Sequence, residues 1–84
     1  MKKKIDKTFH YVTRDLNVAA VIRTFGHELD HFERVDKGHA QFHFVTSPEI
    51  VGIVRKYWAQ ELQVNPYKLW ENWKYLKSLL YSDI

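Results

Sequence analysis

Ala40-Gln41-Phe42-His43-Phe44-Val45-Thr46-Ser47-Pro48-Glu49-Ile50 carries the chain from a strand into a helix. Ala40, Phe42 and Phe44 recur at the two-residue period of a strand with one apolar face. Ser47 then stands before a proline, so a capping oxygen precedes a residue whose locked φ suits the first helical turn. Asn65-Pro66 repeats that arrangement and marks a second helix start. Between the aromatic N-terminal third and these two starts, Val35-Asp36-Lys37-Gly38-His39 reads as a hairpin turn with Gly38 in the left-handed position. These marks divide the chain into strand, helix, hairpin, helix, helix.

Working outward, Phe9 to Thr13 reads as a short strand with Phe9 and Tyr11 on one face. Thr13 or Asp15 caps a helix from about Leu16 to Phe25, closed by Gly26. Val18, Val21, Ile22 and Phe25 define one face of it, and Leu16, Ala19 and Ala20 extend the apolar surface nearly all round, as in a sandwiched helix. Leu29–Val35 and Ala40–Val45 form the hairpin. A three-residue loop would set Val35 opposite His39, Phe32 opposite Phe42 and His31 opposite His43, and a slip of one residue would change every pair. The helix from Pro48 to about Gln60 gathers Ile50, Val51, Val54, Tyr57 and Trp58 on one side. The last helix, Pro66 to about Tyr81, buries Leu69, Trp73, Leu76 and Leu80. The expected fold is therefore α+β: a β-α-β-β-α-α domain over residues 8–84, with a three-stranded antiparallel sheet and helices packed chiefly on one face. The first strand should pair with a hairpin strand, in an order the sequence leaves open.

A chain of 84 residues holds one core and no cleft between domains. It has no cysteine, which removes disulfide, zinc-thiolate and thiol-nucleophile chemistry and fits a reducing compartment. The longest apolar run, Val18 to Ile22, is far too short to span a bilayer, and a cytoplasmic protein is expected. The net charge of +3 has a location. Residues 1–7 hold four lysines and one aspartate, and the rest of the chain balances nine Lys/Arg against nine Asp/Glu. Residues 1–7 thus read as a flexible basic arm on a body without net charge, which weakens any global case for nucleic-acid binding.

The series Phe9 to Thr13, Asp15-Leu16-Asn17-Val18-Ala19-Ala20 to Phe25-Gly26, Phe42 to Val45, Ser47-Pro48-Glu49-Ile50, Tyr57-Trp58 and Leu76-Lys77 resembles a family of small domains of unknown function found in bacterial, phage and mobile-element genomes. The resemblance covers nearly all of the chain beyond the first seven residues. It rests on caps, turns and core positions. It implies the small β-α-β-β-α-α fold and a prokaryotic or phage setting, and it brings no catalytic residues; His27 to His31 lies outside its pattern.

His27-Glu28-Leu29-Asp30-His31 matches the H-E-x-x-H zinc-protease signature, which works only when a helix sets both histidines on one face. Here it follows a helix end and enters a strand, where the two histidines would lie about 13 Å apart. His31 and His43, opposed across the hairpin with His10 or His39 nearby, could hold a transition metal or form a pH-sensitive contact. The plainer expectation is a half-exposed sheet face bearing polar groups, so no metal, cofactor or small-molecule substrate is expected. Ser47 and Thr13 are caps outside any nucleophile motif. Arg14, Arg23, Arg34 and Arg55 are scattered, and no glycine-rich phosphate loop is present.

On the last helix, Trp70, Lys74, Lys77 and Tyr81 form a stripe beside the core stripe, with Tyr67 at its edge. Such aromatics with lysine at the rim suit a protein interface. They also suit nucleic acid, with bases stacked on Trp70 and Tyr81 and phosphates met by the lysines and by Lys2, Lys3 and Lys4. The plainer expectation has Trp70 completing the core and the lysines solvated. The neutral body ranks protein above nucleic acid. A non-enzymatic accessory protein acting through protein contacts, a homodimer included, is the function the sequence favours.

Overall fold

The computed structural model describes residues 10–82. The elements are β1 (His10–Thr13), α1 (Leu16–Thr24), β2 (His31–Asp36), β3 (His39–Val45), α2 (Pro48–Trp58) and α3 (Pro66–Leu80). Phe9 and the Lys2, Lys3 and Lys4 arm lie outside the described residues. The sheet is antiparallel with order β1-β3-β2. The fold is α+β, with the helices gathered against the face of the sheet that carries Tyr11, Phe32, Ala40, Phe42 and Phe44.

Local chemistry sets each helix start. Asp15 is the α1 cap, its carboxylate accepting from the amides of Asn17 at 2.8 Å and Val18 at 3.2 Å, while Thr13 Oγ1 accepts from the Asp15 amide at 3.0 Å. Ser47 accepts from Ile50 N at 3.2 Å and Asn65 from Lys68 N at 3.0 Å. At the far end of α1, Gly26 has φ +97°, and the amides of Gly26 and His27 return to the carbonyls of Arg23 and Ile22 at 2.9 and 3.4 Å. That pair of bonds is the Schellman motif.

Val18, Ala19, Ala20, Val21 and Ile22 are all buried, so α1 is enclosed on every side as its composition leads one to expect. Phe42, Phe44 and Ala40 of β3, Ile50 of α2, and Leu76 and Leu80 of α3 complete the core around it.

Three local expectations are corrected. The hairpin turn is the two-residue Lys37-Gly38, with Gly38 at φ +78°, and Asp36 rather than Val35 faces His39. A bulge at Val35 absorbs the extra residue and leaves that valine half exposed, while His31↔His43 and Phe32↔Phe42 pair as expected. On α2 the buried residues are Ile50 and Ile53, backed by Val54 and Tyr57, whereas Val51 and Trp58 are exposed. The apolar arc on this helix is wider than the strip its neighbours cover, and those two residues fall beyond its edge. Finally, α2 ends at Trp58, because Gln60 takes φ +63° and the amides of Gln60 and Glu61 bond Tyr57 O at 3.1 Å and Lys56 O at 3.0 Å. This is a second Schellman motif, with glutamine where glycine is usual.

A non-glycine residue in the left-handed region is strained, and glycine relieves the strain at some cost in unfolded-chain entropy. Gln60→Gly is expected to stabilise the fold by about 0.5 kcal/mol, read as a higher urea midpoint at unchanged slope.

Candidate functional site

A polar clasp fixes how α3 lies on α1. Asn72 Oδ1 accepts from Arg23 Nε at 2.9 Å, and Asn72 Nδ2 donates to Thr24 Oγ1 at 3.2 Å and to Lys68 O at 2.9 Å. Thr24 Oγ1 in turn donates to Ala20 O at 2.7 Å, and the Arg23 guanidinium lies 4.3 Å from the centre of the Tyr75 ring. At the other end of α3, Arg34 of β2 donates to the carbonyls of Leu80 and Leu79, which have no partner within the helix. Two of the four scattered arginines are therefore occupied in holding α3.

With its rotation set, α3 presents Leu69, Trp70 and Trp73 across from Asn17 and Val21 of α1 and Tyr57 of α2. Together with Pro66 they line an open, almost wholly apolar groove of about 480 Å³. Trp70 and Trp73 are stacked, with ring centres 5.4 Å apart and planes 10° from parallel. Trp73 is partly buried against the core, while Trp70 is 52% exposed. Trp58, exposed at the C-terminal end of α2, packs edge-on against groove-lining Tyr57 at 5.0 Å.

The expected stripe is present, but its members do different things. Lys74 Nζ lies 5.4 Å from the Trp70 ring centre, and Lys77 Nζ lies 4.8 Å from that of Trp73 and 5.9 Å from that of Tyr81. Lys74 also approaches Glu71 at 3.7 Å. Tyr67 is exposed, and a hydrogen bond to Glu71, reinforced by that carboxylate's charge, raises its phenol above the usual range. Tyr81 is 62% exposed and leans toward the hairpin, its hydroxyl 3.3 Å from where a side chain on Gly38 would begin. Trp70 thus belongs to the groove and Tyr81 to the opposite end of α3, about 16 Å along the axis. Val21, Tyr57, Leu69 and Trp73 are groove residues that the sequence places on the apolar core faces of their helices; their spacing signals burial alone.

The H-E-x-x-H match dissolves. His27 to Asp30 form no helix, and the two histidines turn to different neighbours, His27 to Glu49 at 3.1 Å and His31 to Asp30 at 2.7 Å. The opposed pair does form, the rings of His31 and His43 stacking at 4.2 Å on the other face of the sheet. No helix among the described residues is long and apolar enough to cross a membrane.

A family model described as a domain of unknown function, DUF5659, matches residues 8–82. The chain belongs to the DUF5659 family. The match takes in every element of the fold, so groove, clasp and sheet face all lie within the DUF5659 domain. The chain matches no curated protein and no solved structure.

The two stacked tryptophans should separate in a stability measurement. Trp73→Ala removes a ring packed on the core and is expected to cost about 2–3 kcal/mol, below the range for a fully buried tryptophan. Trp70→Ala, losing mainly the stack, should cost less than about 1 kcal/mol. Urea titrations of the two variants measure the difference.

Proposed function

We propose that this DUF5659 protein is a non-enzymatic binding module whose groove between α1, α2 and α3 receives apolar side chains from a protein surface, its own second copy included. The apolar groove floored by Val21 and edged by the half-exposed Trp70 carries the proposal. Exposed apolar surface of this kind is uncommon away from interaction sites, and tryptophan and tyrosine are the residues enriched at binding hot spots. Trp70, Lys74 and Tyr67 form one end of the contact surface, and Lys77 and Tyr81 extend it along α3. A small cytoplasmic accessory protein of phage or mobile-element type, as the family resemblance suggests, fits such a module.

Nucleic acid is the alternative, using the same helix with Lys2, Lys3 and Lys4. It ranks second for two reasons. The body beyond residue 7 has no net charge, and one face of Trp70, on which a base would stack, is taken by Trp73.

Sedimentation of the full chain over a concentration series, with affinity capture of partners, tests the proposal against Trp70→Ala combined with Lys74→Ala. Loss of the dimer or of a captured partner in a variant that still folds is the expected result. A dimer and a partner set both unchanged by the pair of substitutions would overturn it. Tryptophan emission titrated with single-stranded DNA at low and physiological salt provides the second arm. Saturable quenching that weakens steeply with salt would replace a protein partner with nucleic acid.

A further inference from the structure

The sheet face opposite the core carries a cluster that the groove does not involve. His31 and His43 are direct cross-strand partners on β2 and β3, and their rings stack with planes 18° apart. Glu33, two residues along β2 on the same face, brings one carboxylate oxygen to each ring. Oε2 lies 3.7 Å from His31 Nε2, and Oε1 lies 3.5 Å from His43 Nε2. His10 of β1 stands edge-on to both rings, with centres at 5.7 and 5.6 Å.

We propose that His31, His43 and Glu33 bind a divalent transition-metal ion, zinc being the best match to this donor set. Two imidazoles and a carboxylate are borderline donors suited to zinc. A tetrahedral ion with bonds of about 2.0–2.1 Å holds its ligand atoms about 3.3 Å apart. The two nitrogen-to-carboxylate separations are already within a few tenths of an ångström of that value, and the donor atoms of all three residues lie within 4.8 Å of one another. Small side-chain rotations close the set and leave the fourth position to His10 or to water.

Two further observations point to a ligand rather than to a merely polar surface. The His43 side chain is only 14% exposed, and both of its ring nitrogens are buried without a hydrogen-bond partner among the described residues. Buried polar nitrogens of this kind call for a partner. In addition, Asp30 lies 2.7 Å from His31 Nδ1, the outer-carboxylate arrangement that accepts the Nδ1 proton and turns the Nε2 lone pair outward. A metal ion between that lone pair and Glu33 would be held by both. The carboxylates of Asp30 and Glu33, both beside His31, place the negative charge that a divalent ion requires next to the imidazoles.

His39 provides an internal control. It pairs with Asp36 at 2.7 Å at the hairpin turn, with no second histidine opposite. Isothermal titration of the untagged full chain with ZnCl2 should give one ion per chain. Glu33→Gln and His31→Ala should each weaken it more than about tenfold, and Asp30→Asn about tenfold. His39→Ala should leave it unchanged. Glu33 is exposed, so Glu33→Gln tests the site without threatening the fold. Cobalt bound in place of zinc should show the intense visible absorption of a four-coordinate ion, lost in the same variants. No zinc uptake, or uptake equal in Glu33→Gln and His31→Ala to that of the native chain, would overturn the proposal. Because this face is distinct from the groove, zinc binding and partner binding succeed or fail independently.

Discussion

The full enclosure of α1 governs the arrangement of the other elements. Five consecutive residues, Val18 to Ile22, have almost no contact with water, so the helix must be covered from all directions within a small chain. Ala19 and Ala20 make this feasible because their short side chains let neighbouring elements come close, and added methylenes in a packed interior force neighbours out of place. The sheet supplies Phe42 and Phe44, α2 supplies Ile50, and α3 supplies Leu76 and Leu80. Each of those elements needs only one apolar strip, because the shared partner is apolar on every side.

That division of labour leaves two open faces. Covering α1 with two separate helices leaves a seam, and where α2 and α3 diverge over Asn17 and Val21 the seam opens into the groove. Hydrophobic packing alone would tolerate some rotation of α3. The Asn72 clasp does not, since its amide oxygen and nitrogen are both engaged in directional bonds. The rotation it selects places Trp73 toward the core and Trp70 toward solvent. Because the helices gather on one side of the sheet, the other face stays open to polar side chains, and β3, central in the sheet, brings His43 within reach of residues from both flanking strands.

Features governed by neighbouring residues were legible in the sequence, and those governed by distant contacts were not. The caps Ser47 and Asn65 act within three residues, and each forms the bond its position implies. His31 opposite His43 follows from a three-residue loop, and the pairing holds because the Val35 bulge makes up for the shorter, two-residue turn. His10 could join them only once the strand order was known. The Val35 bulge was hidden, as a loop of two or three residues suits the same turn sequence. Gln60 carries no sign of its left-handed backbone, because the residue normally placed there is glycine. The Asn72 clasp joins residues 48 and 49 positions apart, and no local pattern marks it. In the groove, the sequence left Trp70 between the core and the surface, where it is 52% exposed, while Tyr57 and Leu69 carry the same signature as core residues.

Under the proposed function, the lysines on α3 reconcile a half-exposed tryptophan with a chain that stays dispersed until a partner is met. Lys74 and Lys77 lie over Trp70 and Trp73, where the ring quadrupole attracts the ammonium and the aliphatic stem covers apolar area. At an exposed site this attraction is worth only about 0.5–1 kcal/mol, so an apolar side chain of the proposed partner would displace the lysine at little cost. The displaced ammonium would then stay hydrated at the rim of the contact. The Lys74 ammonium over Trp70 would therefore compete only weakly with the proposed partner, whereas a larger apolar residue in its place would keep the ring covered. The clasp fixes the rotation of α3 and with it the rings that α3 carries, which would preorganise the proposed contact surface.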